Sequence, residues 1–184
     1  KTTGKPNPSI GLLSIGEEAS KGNALAIEAH KLLAAEPGLN FHGNVEGKDL
    51  LAGVVDIIVT DGFTGNVALK TVEGVIALYT ELIELRLANA DFNSPNDAST
   101  ARTALAEACS IMDYAEIGGA PLLGVNGSVV ICHGRSSRHA MCNAVGMGQS
   151  LAKLNIVSAI SDAMATRAAS PTEALPAGVS ARQS

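Results

Sequence analysis

Apolar residues in this chain fall into short continuous runs and longer spaced ones, and the two spacings predict different elements. Ile10-Gly11-Leu12-Leu13-Ser14-Ile15 and Val54-Val55-Asp56-Ile57-Ile58-Val59-Thr60 read as buried strands, with a shorter strand from Leu39 to His42. Between the first and the second of these in chain order, Leu25, Ala29, Leu32 and Leu33 recur at helical intervals. They give an apolar face to a helix from about Ala24 to Ala35, which Pro37-Gly38 stops. Gly43-Asn44-Val45-Glu46-Gly47 then opens a brief helix through Asp49 and Leu51. This β-α-β-α-β alternation predicts an α/β fold with a mostly parallel sheet, right-handed crossovers and flanking helices.

Beyond the third strand the helical pattern is unusually long. From Val67 to Ala90, Leu69, Val72, Val75, Ile76, Tyr79, Leu82, Ile83 and Leu87 cover a face broader than one sheet can bury. Asn89 to Ser99 reads as a polar tip, and Thr100 to Met112 as a second helix folding back on the first. A projecting helical hairpin over 67–113 predicts either a two-fold bundle with a second copy or a structural hairpin on a monomer. Further on, Gly118 to Gly127 reads as a shaped loop, Ser128 to Cys132 as a buried strand, and Arg138 to about Ala165 as mostly helix. These elements predict an α/β portion over 1–165 and a frayed tail over 166–184, rich in Ala, Ser and Pro.

Composition narrows the picture. Hydrophobic residues make up 46% of the 184 and aromatics 3%, with no Trp, so Ala, Val, Ile and Leu must fill the core, as suits helices on a parallel sheet. A net charge of -5 and the lack of any basic stripe exclude nucleic acid as a partner. Cys109, Cys132 and Cys142 are widely spaced and read as core thiols of a reduced, cytoplasmic protein. The four histidines lack metal-ligand spacing, and no apolar run reaches spanning length. Lys1-Thr2-Thr3 is neither an initiator Met nor a signal peptide, which predicts a chain that begins inside a longer one.

The candidate chemistry gathers where the third strand gives way to the long helix. Asp61-Gly62-Phe63-Thr64-Gly65-Asn66-Val67 holds glycines, threonine and Asn at a strand-to-helix turn, as an anion cradle at a helix N-terminus would. A tight, ordinarily capped turn fits the same residues. No GxxxxGK[ST] or GxSxG occurs, and Gly146-Met147-Gly148 lies within a predicted helix, so no nucleotide or nucleophile-elbow fingerprint is present. Any chemistry must use a nucleophile that the protein binds. Lys21, in a loop after a strand end, offers the point charge that a phosphate or oxyanion needs, or is a solvated surface lysine.

Several ordered blocks resemble one family. They are Gly11-Leu12-Leu13-Ser14-Ile15-Gly16-Glu17-Glu18 with Lys21-Gly22-Asn23, then Asn40-Phe41-His42-Gly43-Asn44-Val45-Glu46-Gly47, then Asp61 to Val67 with Lys70-Thr71. Tyr114 followed by Gly118-Gly119-Ala120-Pro121-Leu122-Leu123-Gly124, and His133-Gly134 with Ser136, complete the set. Together they resemble the phosphate acyltransferase (PlsX) family of bacterial phospholipid synthesis. The resemblance implies transfer of a fatty acyl group from acyl carrier protein to inorganic phosphate, without metal or organic cofactor. It also implies a Rossmann-like sheet related to the isopropylmalate dehydrogenase and phosphotransacetylase scaffold, a homodimer, and transient peripheral membrane contact.

The same resemblance implies a catalytic role for Lys21 and an amide-donor role for Asn66, for which a helix N-cap is the alternative. Gly62, Thr64 and Gly65 are expected to offer donors to phosphate, and Asn44 to head a second cradle or to shape a turn. His133 is expected to hydrogen-bond the cradle or protonate the leaving thiolate, or to sit behind it. Glu17, Glu18, Glu46 and Asp49 read as solvated or capping residues, and Asp61 as a turn-maker.

Two departures stand out. The family's opening Asp-Ala-Met-Gly-Gly-Asp stretch has no counterpart, so the chain reads as a carboxyl-terminal half. The hairpin is acidic: Arg86 and Arg102 face Glu81, Glu84, Asp91, Asp97, Glu107 and Asp113, which weakens attraction to an acidic carrier or anionic membrane. A nicotinamide-dependent dehydrogenase-like enzyme and a non-catalytic dimer or membrane scaffold are the competing readings.

Overall fold

A computed structural model describes residues 4–90, 95–110 and 114–169, in two compact units over 1–106 and 107–184. The first unit is built on a three-stranded parallel sheet: β1 (Ser9–Leu13), β2 (Asn40–Val45) and β3 (Ile57–Val59), in the order β2-β1-β3. Helix α1 (Ala24–Ala35) crosses from β1 to β2, and a 3-10 turn (Gly47–Asp49) starts the return to β3. The chain therefore leaves β1 in one direction for β2 and comes back on the other side for β3. Such a reversal opens a crevice at the carboxyl ends of β1 and β3.

Local chemistry explains the elements. Gly11, Leu12, Val45 and Val55 are buried, and Gly11 lies so close to Val45 that an added Cβ would come within 2.7 Å of its Cγ1. Asn23 caps α1, its side chain accepting from the Ala26 N–H at 2.9 Å. Ala26, Ile27, Ala29, His30 and Leu33 are the half-buried positions of α1, while Leu25 and Leu32, expected on its buried face, are exposed. Strand β2 runs further than its sequence predicts, through Gly43, Asn44 and Val45. Ile10 pairs with Phe41 but Gly11 with Gly43, so His42 is an extra residue, a β-bulge relieved by Gly43 at φ +111°.

Helix α2 (Gly62–Ala88) begins five residues before the expected Val67, because Asp61 rather than a later residue is its N-cap. Leu69, Val75, Leu78, Tyr79, Leu82 and Ile83 are exposed along it. Helix α3 (Pro95–Ser110) begins five residues before the expected Thr100, and of the expected tip, 91–94 lie outside the described residues.

In the second unit, α4 (Tyr114–Ile117) packs on α5 (Arg138–Lys153), and a short antiparallel pair, β4 (Ala120–Leu122) with β5 (Val129–Ile131), packs on α5 as well. The glycine-rich segment read as a loop thus contains β4, and β5 is not buried: Val129 is 42% and Ile131 54% exposed. Ala140, Ala144 and Leu151 form the buried face of α5. Gly118, at φ +85°, rests on that helix, where a Cβ would lie 2.3 Å from the Ala144 nitrogen. Asn155, at φ +48°, breaks the predicted single helix into α5 and α6 (Ile156–Ala169). Cys142, expected in the core, is exposed on α5, and Cys132 is half-buried. No helix among the described residues is long and apolar enough to cross a membrane.

Candidate functional site

The carboxyl edge of the first unit's sheet gathers most of the residues singled out above. Past β1 the chain forms the loop Ser14–Asn23. Its first residue prolongs the pairing with β2, the Ser14 N–H donating to the Val45 carbonyl at 2.8 Å. The loop then returns on itself. The Ser14 hydroxyl donates to the Lys21 carbonyl at 3.0 Å, and the Lys21 N–H to the Glu18 carbonyl at 2.9 Å. Gly22 makes this return possible: at φ +110° it has the Ser14 hydroxyl and the Ala26 methyl where a Cβ would be, at 2.8 and 2.9 Å.

Lys21 leaves this loop with its stem across buried Gly16, whose added Cβ would meet the Lys21 Cγ at 2.9 Å. Of the described lysines of this unit, Lys5, Lys31, Lys48 and Lys70 each reach a carboxylate. Lys21 is exposed and shows no ion pair among the described residues. Its charge is therefore left for something else at this edge.

β3 lies next to β1, with Val59 opposite Leu12, and feeds α2 through Thr60 and Asp61. The Asp61 carboxylate accepts from the Phe63 and Thr64 N–H groups, each at 2.9 Å, and the Asp61 carbonyl from the Gly65 N–H at 2.9 Å. Hydrogen bonds from Thr64, through its hydroxyl first and its backbone second, hold the Asp61 carboxyl below the usual carboxylate range. The backbone donors expected to hold phosphate at Thr64 and Gly65 are thus engaged inside the chain, and an ionised carboxylate stands at the helix end. Gly65 serves close approach, since its Cβ would fall 2.6 Å from Thr60 Cγ2. Asn66 is exposed in the second turn of α2, so capping, its alternative role, belongs to Asp61.

A cavity of about 210 Å³ opens between the ends of β1 and β3 and the start of α1, lined by Leu12, Leu13, Asn23, Ala26, Thr60 and Asp61 among others. The Lys21 loop and the head of α2 thus flank the ends of adjacent strands. A second cavity, about 310 Å³, lies at the end of β2 and is lined by Glu17, His42, Asn44, Val45, Asp49 and Val54. Lys48 closes on Glu46 and lies 3.4 Å from Glu17; the Glu46 hydrogen bond, with Glu17 second, raises its pKa.

Asn44 does not head an exposed turn. It lies within β2, 5% exposed, with its Oδ1 2.8 Å from His30 Nδ1 and its Nδ2 donating to the Glu18 carbonyl at 2.8 Å. This wiring, and the part of His30 in it, had no sequence signal beyond the Asn itself. Glu46 and Asp49 act as a capping pair for the 3-10 turn, the Glu46 N–H donating to Asp49 at 2.9 Å. His133 belongs to the second unit, exposed just past β5, where its carbonyl accepts from the Ser136 N–H at 3.0 Å. Among the described residues no group of three or more His, Cys, Asp and Glu could hold a metal ion.

The loop carrying Lys21 and the capped start of α2 follow adjacent strands at the carboxyl edge of a parallel sheet, the edge at which open α/β proteins bind their ligands. The chain belongs to the family described as fatty acid synthesis protein, whose model matches residues 1–159. It is 45% identical over 150 residues to the phosphate acyltransferase of Dictyoglomus thermophilum, covering 82% of this chain and 44% of that protein. It is 46% identical over 157 residues to the phosphate acyltransferase of Desulforudis audaxviator (85% and 46% covered). With that of a Geobacillus species the figure is 44% over 164 residues (89% and 49%). The chain thus spans a little under half the length of these curated relatives.

Proposed function

We propose that this chain is part of an acyl-[acyl-carrier-protein]:phosphate acyltransferase, and that its Lys21 and Asn66 act on the reacting groups. The observation that carries the reading is the Lys21 ammonium, without an ion pair among the described residues, whose stem lies over Gly16 past the end of the strand adjacent to the one that feeds α2. The family and the named relatives support acyl transfer and give no support to a dehydrogenase or a scaffold.

In this mechanism a phosphate oxygen attacks the thioester carbonyl, forming a C–O bond and a tetrahedral oxyanion. Collapse breaks the C–S bond and leaves acyl phosphate and the carrier thiolate, which takes up a proton. Phosphate is its own nucleophile, so the protein's task is to place it and stabilise charge. Lys21 supplies the compensating charge, and the Asn66 amide donates to the oxyanion or to phosphate. Gly62, Thr64 and Gly65 act chiefly by shaping the head of α2, with the Gly62 N–H directed to the anion and the Thr64 hydroxyl held by Asp61. No metal or organic cofactor enters the chemistry.

The wider reading is a Rossmann-like, isopropylmalate dehydrogenase/phosphotransacetylase-like sheet in a cytoplasmic homodimer joined through α2 and α3. The exposed leucines of α2 support that joint and leave room for peripheral membrane contact. The test is to mix acyl carrier protein thioester, phosphate and the protein, and to trap acyl phosphate with hydroxylamine. Phosphate-dependent hydroxamate is expected, and its absence with folded, full-length protein overturns the proposal.

A further inference from the structure

Asn44 is the buried polar residue among those described, and its carboxamide is used at both ends. Its Nδ2 donates to a carbonyl, which can only accept, so Oδ1 is the atom that faces His30. The His30 Nδ1 must then carry the proton, in either charge state of the ring. His30 is itself seated, its ring meeting Phe41 edge-on at 5.1 Å between centroids and 74° between planes. The Glu18 carbonyl that takes the Asn44 proton also takes the Lys21 N–H. A buried amide thus grips the turn that presents Lys21, and a phosphate, which needs several converging donors, would find one spare N–H there.

We infer that Asn44, oriented by His30, is a positioning residue that fixes the Glu18–Lys21 turn, and through it the Lys21 ammonium, rather than a ligand of phosphate. This rests on the proposed role of Lys21. A side chain displaced by about 1 Å at such a site lowers turnover by about 10²-fold.

Three readouts on the full-length protein test it. Amide hydrogen exchange over residues 16–22 should speed up in Asn44→Ala and in His30→Ala at a temperature where each variant remains folded; unchanged protection overturns the inference whatever the activity. In phosphate titrations, Asn44→Ala should lose about 10²-fold in kcat with KM for phosphate nearly unchanged; a raised KM with intact kcat makes Asn44 a phosphate ligand and overturns it. In a Lys21→Ala background, Asn44→Ala should add no further loss. Should Asn44→Ala not fold, His30→Ala is read by the same criteria. If the wild type lacks phosphate-dependent turnover, the proposed function fails, while the exchange measurement still decides whether Asn44 holds the turn.

Discussion

Gly65 meets Thr60 with no space for a side chain between them: a Cβ on the glycine would lie 2.6 Å from the threonine methyl. The first turn of α2 therefore leans directly on the end of β3. Gly65→Ala should destabilise the fold by about 1–3 kcal/mol through overpacking. Gly74→Ala, in the same helix with open space around it, should stabilise by about 0.5–1 kcal/mol. Urea melts of both variants decide the matter, and equal stability of Gly65→Ala and wild type would remove the close approach.

Asp56 ties the residues before β1 to those before β3. Its carboxylate pairs with Lys5 and accepts from the Ser9 N–H at 2.8 Å and the Ser9 hydroxyl at 2.9 Å, and these bonds, Lys5 first, lower its pKa to about 2. Because the folded value lies below the unfolded one, the stabilisation is complete above about pH 4 and fades as pH falls towards 2. Asp56→Asn should lower stability at neutral pH, and the gap between variant and wild type should close between pH 4 and 2. A gap that stays constant across that window counts against the geometry at Ser9.

The ionised Asp61 at the head of α2 opposes any anion bound there. Asp61→Asn keeps a capping residue but removes the charge, so the helix should persist while KM for phosphate falls by a few-fold, with salt shrinking the difference. Asp61→Ala should instead weaken the helix, seen as a lower Tm. A KM raised by Asp61→Asn would mean that the carboxylate helps rather than hinders phosphate.

Lys21 and Asn66 are both exposed, so neither should matter to stability. Lys21→Ala and Asn66→Ala are each expected to lower kcat/KM by about 10²–10³-fold with Tm unchanged. Lys21→Arg should restore little, since a planar guanidinium cannot occupy the place of a compact ammonium. Full activity in Lys21→Ala would end its catalytic assignment.

The first half of the fold was legible because its signals were local. A short apolar run gave β1 and a β-branched run gave β3, and Asn23 and Pro37 bracketed α1. The reading slipped wherever a residue with turn chemistry was used otherwise. Gly43-Asn44 looked like a turn but is a bulge and a buried amide inside β2. Asn66 looked like a cap, yet Asp61 had already started the helix. Asn155 carries the signal for the α5–α6 break, but the long helical pattern on either side of it reads as one helix. Apolar spacing also predicts a face without saying what covers it, which is why Leu69, Val75 and Leu82 remain exposed among the described residues. That Lys21 and Asn66 follow the ends of β1 and β3 was readable from the strand-and-helix alternation. The partners of Asn44 were not, because they come from α1 and from the loop ahead of it.

The single extra residue in β2 has an effect on His30. In a regular strand, positions three apart look to opposite sides, so Phe41 and Asn44 could not both face one helix. Inserting His42 resets the alternation by one step, and the aromatic ring and the amide come to the same side, where one imidazole touches both. Excising that residue would be a change of one amino acid in length, yet it would turn a shared seat into two unrelated contacts.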